Sequence, residues 1–186
     1  LMPGAGHIVH MPGHIYIRVG RYQDAAEMNR HAVHADETFL EGPGALRRGL
    51  YPSGYYPHNW HFLSFAASMM GARREAIEAA FTAARRIDPE VAAVTPWIDA
   101  VTPIGYWTLV TFGEWSRILA EPLPAPSMRF ATGMAYYARG VAFAARSRWA
   151  EAEAAHDSVT AIARAHPPGD NLTALVIAAL RVRCEV

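Results

Sequence analysis

Residues 20–25 read GRYQDA, and the same pattern returns as GARREA at 71–76, GEWSRI at 113–118 and SRWAEA at 147–152. Each stretch opens with glycine or serine, carries an aromatic or long side chain at its third position and closes on alanine or isoleucine. Glycine tolerates the left-handed conformation that closes a helix, and a small residue in the next helix lets two helices cross closely. The four stretches therefore predict four helix-turn-helix units.

The spacing of these turns points to a known repeat family. Gly113 and Ser147 are 34 residues apart, which is the period of a tetratricopeptide repeat. The earlier intervals are longer because of insertions, one at residues 41–56 and one that holds Pro89 and Pro96. Their content of glycine, proline and tyrosine is typical of loops between helix pairs. With its turns in this register, nearly the whole chain resembles the tetratricopeptide repeat family.

The resemblance implies an all-α protein that forms one domain over residues 1–186, a tetratricopeptide-like α-solenoid of about four antiparallel helix pairs with a C-terminal capping helix. Composition agrees, because alanine is abundant and the β-branched runs typical of strands are scarce. Pro12 is expected to begin the first helix, or to kink it, since proline lacks the N–H group that a helix interior uses. The implied repeats cover about 7–40, 57–87, 98–121 and 127–165, and the cap covers 170–184.

The charge balance argues against several classes of partner. Lys and Arg together number 17, as do Asp and Glu, so the formal net charge is zero and no nucleic-acid partner is expected. No run reaches the roughly 18 apolar residues that a membrane-spanning helix requires, so no membrane span is expected. The single Cys184 does not identify a compartment, and the localisation is left unknown.

Five of the nine histidines fall in two short blocks that each precede a turn glycine. The pairs His7/His10 and His58/His61 lie 13 and 10 residues before the glycine of their own repeat, so they occupy equivalent positions. The two later repeats have no histidine there, which makes the pairs a local specialisation and not a requirement of the fold. His14 follows His10 by four residues, a spacing that places two side chains on one face of a helix.

In the tetratricopeptide repeat family, these positions line the concave groove formed by the first helices of successive repeats. The resemblance therefore implies a groove that is imidazole-rich at one end and aromatic at the other. Such a groove is suited to a protein, a peptide or a small-molecule ligand. The implied groove residues are His7, His10, His14, His58, His61, Phe65, Trp107 and Tyr137.

A transition-metal site is a second interpretation of the same five histidines. Adjacent helices lie about 8–10 Å apart, so histidines from two helices can converge on one ion. Imidazole suits zinc and copper, and a site made only of histidines with an open coordination position is a sensible catalytic or binding centre. There is no H-E-x-x-H motif and so no zincin-type general base, and whether the protein is an enzyme is left open. The remaining interpretation is that these histidines are hydrogen-bonded packing residues.

Other candidate groups are weaker. His31, His34, His156 and His166 are expected to be surface or packing residues. Asp36 lies near the end of the predicted second helix and offers a carboxylate, but charged side chains in such places are usually solvated.

The two histidine blocks also resemble a narrower group within the repeat family. GHIVHMPGHI at 6–15 and YYPHNWHF at 55–62 are similar to sequences of a bacterial group of tetratricopeptide repeat proteins of unassigned activity. Its members carry further histidine-containing repeats upstream, so this chain is expected to be the C-terminal part of a longer protein. The sequence predicts a scaffold that binds a peptide or small ligand in its groove. The alternative is a zinc- or copper-binding protein or metalloenzyme, with the ion between the first helices of repeats 1 and 2.

Overall fold

The computed structural model describes residues 5–43, 45, 48–125, 127–165 and 169–185, and the side chains of all of these except 170 and 183–185. Every regular element in these ranges is helical, which confirms the all-α prediction. In the same ranges, no helix is long and apolar enough to cross a membrane.

The helices form two compact units, Leu1–Val94 and Thr95–Val186. The boundary falls between Pro89 and Pro96, in the second predicted insertion, where proline limits the helices to a few residues. The first unit contains α1 (Gly6–Arg18), α2 (Tyr22–Glu41), a π-helical turn (Tyr51–Tyr55), α3 (Tyr56–Met69), α4 (Arg73–Arg86) and α5 (Pro89–Val94). The second contains α6 (Pro96–Asp99), α7 (Ile104–Thr111), α8 (Trp115–Ala120), α9 (Arg129–Ala144), α10 (Trp149–Arg164) and α11 (Asp170–Glu185).

The four turns have the predicted left-handed conformation. Gly20, Gly71, Gly113 and Ser147 all have a positive φ, between 56° and 75°. In the first turn, the backbone N–H of the residue after the glycine donates to the carbonyl five residues earlier at 2.8 Å, which is the closure of a Schellman motif. The same bond closes α3, α7 and α9, and each turn joins two helices that pack on each other.

Small residues lie where the helices cross, as the repeated pattern predicts. Ala25, Ala76 and Ala152 are fully buried. A Cβ atom added to Gly140 on α9 would lie 2.7 Å from the side chain of Val182 on α11. These contacts leave no room for a larger residue, so the size of the side chain at these positions sets the distance between the helices.

The expectation that α1 begins at Pro12 is wrong, because the helix begins at Gly6 and continues through the proline. Proline inside a helix removes one hydrogen bond to the carbonyl four residues earlier, here that of Ile8. Both Pro12 and Ile8 are exposed, so water can satisfy that carbonyl. The first histidine block is therefore wholly helical.

Two further boundaries differ from the prediction. Residues 51–55, expected in a loop, form the π-helical turn that leads directly into α3. The first helix of the repeat predicted over 98–121 is divided into α6 and α7, and α7 begins after Pro103. A helix is present where the cap was predicted, α11, and it packs against α9 and α10.

The interiors of the two units differ in composition. In the second unit, α9, α10 and α11 enclose aromatic and aliphatic side chains that include Phe130, Leu175 and Val182. In the first unit, one core cluster consists of alanines and Leu63, and larger side chains such as Tyr56 and Ile77 are buried elsewhere. Buried polar side chains accompany that core between α1, α2 and α3: His10, Asn29, Asp36 and Asn59 are each 0% exposed.

Candidate metal centre

The buried face of α1 is a narrow stripe of residues that places its histidines beside α3. Gly6, His10 and Gly13 are its buried residues, at a spacing that forms one stripe along a helix. Glycine at positions 6 and 13 lets α2 approach, since a Cβ atom at Gly13 would lie 2.9 Å from the side-chain nitrogen of Asn29. Helix α1 therefore packs against both α2 and α3, with His10 between them.

Three of the five predicted ligands converge. The candidate ligand atoms of His10, His14 and His58 all lie within 4.8 Å of one another. The Nε2 atoms of His10 and His14 are 2.9 Å apart, and the rings of His10 and His58 have centroids 4.8 Å apart. His10 is buried, and the other two are partly buried.

Asn29 fixes the tautomer of His10. The Asn29 Nδ2 atom donates to the Ala25 carbonyl at 2.7 Å, which turns the amide oxygen Oδ1 towards His10 Nδ1 at 2.8 Å. His10 Nδ1 must therefore carry the proton and donate, and Nε2 of the neutral ring presents a lone pair. Sequence reasoning missed Asn29, although it lies four residues after the predicted crossing residue Ala25 and so on the same face of α2.

Phe62 lies at the centre of the cluster and was also missed. Its ring centroid is 4.5 Å from that of His10, 4.4 Å from that of His14 and 4.6 Å from that of His58. It follows His58 by four residues, so helical spacing alone places it on the same face of α3. The ring supplies an apolar wall beside the three imidazoles.

His7 and His61 flank the three converging histidines. The His7 ring stacks on that of His10 with centroids 5.3 Å apart, and the His61 ring lies 6.1 Å from that of His58. The Nδ1 atoms of both are buried and have no hydrogen-bond partner among the residues that the structure describes. The structure thus places all five predicted histidines in one neighbourhood, three of them within reach of a common point.

A buried carboxylate adjoins the histidines. Asp36 on α2 is 0% exposed, so the expectation that it is solvated is wrong. It accepts hydrogen bonds from the Tyr51 hydroxyl at 2.6 Å and from Asn59 Nδ2 at 2.7 Å. Gly6 permits this approach, since a Cβ atom there would overlap the Asp36 carboxylate. The network connects α2 to the π-helical turn and to α3, beside the histidine cluster.

Burial suppresses the charged form of these histidines. It lowers the pKa of His10 to about 4 and that of His58 to about 3, and repulsion among the neighbouring imidazolium groups adds to the effect. Burial also lowers the pKa of His61 to about 4. At neutral pH the rings are therefore neutral, with a lone pair on each. Burial raises the pKa of Asp36, and its hydrogen bonds from Tyr51 and Asn59 oppose that shift.

The predicted groove residues have different environments. Phe65 on α3 is 43% exposed, in the first unit. Trp107 is partly buried against the core of the second unit, and Tyr137 is buried within that core. Ligand contact by these three residues stays a prediction, and of the three rings only that of Phe65 is exposed.

The other histidines lie apart from the centre. His31 and His34 are exposed on α2, as expected. His156 on α10 contacts Asp157 at 3.2 Å. His166 lies outside the described residues.

Comparison of the chain with protein-family models, with curated proteins and with solved structures finds no match in any of the three. The resemblance to tetratricopeptide repeats therefore stays a prediction from the sequence.

Proposed function

We propose that the first unit binds one transition-metal ion, zinc or copper, through His10, His14 and His58. The observation that carries this proposal is the convergence of three imidazole ligand atoms from two helices within 4.8 Å. Tetrahedral coordination with Zn–N bonds of about 2.0–2.1 Å requires ligand atoms roughly 3.3 Å apart. The His10 and His14 Nε2 atoms, 2.9 Å apart, are already near that spacing, and His58 would have to move closer to them.

The surroundings of His10 support a ligand role. A metal-bound histidine usually donates its second ring N–H to an oxygen acceptor, which fixes the ring and increases its basicity. The Asn29 amide oxygen accepts that proton at 2.8 Å. Phe62 contacts all three rings and excludes water from one side of the site, which strengthens coordination of the ion.

The pair of nitrogens His10 Nε2 and His14 Nε2 is compatible with both a metal-free and a metal-bound form of the site. Without metal, His14 Nε2 donates its proton to the lone pair of His10 Nε2 across 2.9 Å. With metal, His14 changes to the tautomer that carries its proton on Nδ1, so both Nε2 lone pairs face the ion. The exchange moves one proton between the two nitrogens of the His14 ring and releases none.

Three histidine ligands leave a fourth coordination position. Catalytic zinc sites keep such a position for water or substrate, whereas structural sites close it with a protein ligand. His7 and His61 are the nearest additional imidazoles, and each has a buried Nδ1 atom without a partner among the described residues. We propose that water or a small donor ligand takes the fourth position, with His7 or His61 hydrogen-bonded to it.

Metal titration of the whole chain tests the proposal. After treatment with a chelator, the protein should bind one Zn²⁺ or Cu²⁺ per chain, measured by elemental analysis of gel-filtered samples. Binding to the native state should also raise the melting temperature, by an amount that corresponds to about 2.7 kcal/mol at a free metal concentration 100 times the Kd.

Single substitutions identify the ligands. His14→Ala and His58→Ala should each abolish stoichiometric binding, while His31→Ala, which removes an exposed histidine on α2, should retain it. Circular dichroism of the metal-free variants verifies that they fold. If the native chain binds no metal, or if the His31 variant loses as much affinity as the His14 variant, the five histidines are packing residues and the proposal is wrong.

The helix pairs support a second proposal, that they are tetratricopeptide-type repeats and form a scaffold. Its support is the common register of four Schellman turns and the fully buried alanines that follow them. An experimental structure of the chain tests it: helix pairs stacked with a constant rotation from one to the next are expected, and an irregular arrangement would contradict the assignment.

A further inference from the structure

The first unit also has a cavity, on the side of the π-helical turn away from the histidine cluster. Its volume is about 350 Å³, which lies in the range of roughly 300–1,000 Å³ typical of small-molecule sites. Buried residues form part of its wall: Ser53 from the turn, Tyr56 from the start of α3, and Ile87 after α4. The cavity thus has a rigid wall built from three consecutive elements.

Three exposed arginines stand around this wall. Arg48 precedes the π-helical turn, and Arg85 and Arg86 end α4. Asp88 is the single carboxylate among the lining residues, and its Oδ1 atom accepts a hydrogen bond from the Glu90 backbone N–H at 2.9 Å. The lining therefore carries a net positive charge in a chain whose formal net charge is zero.

Two of these guanidinium groups have N–H donors that no described carboxylate engages. Within the part of the chain that the structure describes, neither Arg48 nor Arg86 makes a hydrogen bond or an ion pair with a carboxylate. Arg86 instead lies over the Tyr56 ring, 5.2 Å from its centroid, and the Tyr56 hydroxyl donates to Glu37 at 3.0 Å. By contrast, Arg30 on α2 is held by Glu75 through two bonds of 2.7 and 2.8 Å.

We propose that this cavity binds a small molecule through a phosphate or carboxylate group. Guanidinium groups recognise both anions because their planar, paired N–H donors match two oxygens at once. Arg86, stacked on the Tyr56 ring, is already oriented, so little conformational freedom is lost when an anion binds. Ser53, which is buried, also lines the cavity.

The π-helical turn serves both sites with different residues. Tyr51 and Tyr55 face the buried carboxylate and His7, while Pro52 and Ser53 line the cavity. Single-turn π-helices inside α-helices occur frequently at functional sites. The proposed anion site uses none of the proposed metal ligands, so the test of anion binding does not depend on metal binding.

A titration followed by nuclear magnetic resonance tests this proposal on the whole, metal-free chain. Inorganic phosphate and citrate are added separately, with chloride adjusted to keep the ionic strength constant. Saturable shifts are expected at the backbone amides of Ser53 and Ile87, with none at Gly113 in the second unit. Saturation by only one of the two anions identifies the group recognised, and saturation by neither overturns the proposal.

Arginine variants establish where the anion binds. Arg48→Gln and Arg86→Gln should each weaken binding by about tenfold or more, since each removes a charge-assisted hydrogen bond. Arg74→Gln, on α4 but outside the cavity, is the matched control and should leave the Kd unchanged. Arg48 lies outside the regular helices, so its variant keeps the test valid even if Arg86→Gln disturbs Tyr56. Equal weakening in all three variants would show general charge screening and overturn the proposal.

Discussion

The two units use the same helix turn but fill their interiors differently. In the second unit, Phe130, Leu175 and Val182 belong to a core of aromatic and aliphatic side chains. In the first, helices α1 to α3 enclose His10, Asn29 and Asp36, all 0% exposed. The same type of turn thus joins helix pairs whose interiors are apolar and helix pairs whose interiors hold polar groups.

The difference has an energetic cost and a chemical use. Burying a polar group is unfavourable unless it is hydrogen-bonded, and the first unit bonds Asn29 and Asp36 twice each. It leaves the buried Nδ1 atoms of His7 and His61 without a partner among the described residues. The buried histidines of the first unit are groups that can bind a ligand, and the polar network holds them in place.

The largest expected effect comes from the apolar interior. Leu175→Ala should lower the free energy of unfolding by about 2–5 kcal/mol, because it removes a fully buried side chain that contacts α9 and leaves a cavity. Urea denaturation followed by circular dichroism measures it. Val176→Ala, at a 45% exposed position of the same helix, is the control and should change little. Equal losses in the two variants would contradict the described core.

The buried carboxylate should matter nearly as much. Asp36→Ala is expected to lower the free energy of unfolding by about 2–4 kcal/mol, because the Tyr51 hydroxyl and the Asn59 amide each lose a buried acceptor worth about 1–3 kcal/mol. Asp157→Ala, with its side chain 77% exposed, should stay within about 0.5 kcal/mol of the parent. A similar, small effect for both aspartates would mean that the polar interior of the first unit contributes nothing to stability.

Asn29 should contribute to metal affinity because it orients His10. Asn29→Ala removes the acceptor for His10 Nδ1 and should weaken Zn²⁺ binding by about 10–100-fold. Asn29→Asp keeps an oxygen at that position and should retain most of the affinity. Competition with a chromophoric chelator measures both constants. If the two variants bind zinc equally well, orientation of His10 by this side chain has no part in the site.

Acid should destabilise the metal-free protein through its histidines. Burial lowers the pKa of His10 and His58 from 6.5 to about 4 and 3, so the unfolded chain binds more protons than the folded one between these values. Their contribution is therefore fully present above about pH 6.5 and is lost as the pH falls towards 4. The melting temperature should decline over this window, and less steeply in His58→Phe. An identical slope in that variant would show that His58 does not control the acid response.

The sequence predicts most of the helix turns and fewer of the residues at the site. Turn residues are local signals, so Gly20, Gly71, Gly113 and Ser147 could be recognised without knowledge of packing. Convergence of the histidines followed from the turn register. The start of α1 did not, because the cost of Pro12 depends on whether water reaches the carbonyl of Ile8, which only the packed structure shows.

The role of Asn29 and the burial of Asp36 were not predicted, for a related reason. Asn29 and Asp36 are seven residues apart on the inner face of α2, but polarity in a sequence ordinarily indicates solvent exposure. Their burial depends on hydrogen bonds supplied by His10 on α1, Tyr51 in the π-helical turn and Asn59 on α3. Such pairings join distant parts of the chain and leave no periodic pattern.

The Schellman turns also have a kinetic consequence. Each one closes a helix pair through contacts that are close in the chain, and local contacts of this kind form quickly. His14 and His58 are 44 residues apart, on helices from two different pairs, so their site requires both pairs to form and then dock. In refolding, metal capture should therefore lag behind the appearance of helix, and zinc would report the docking step.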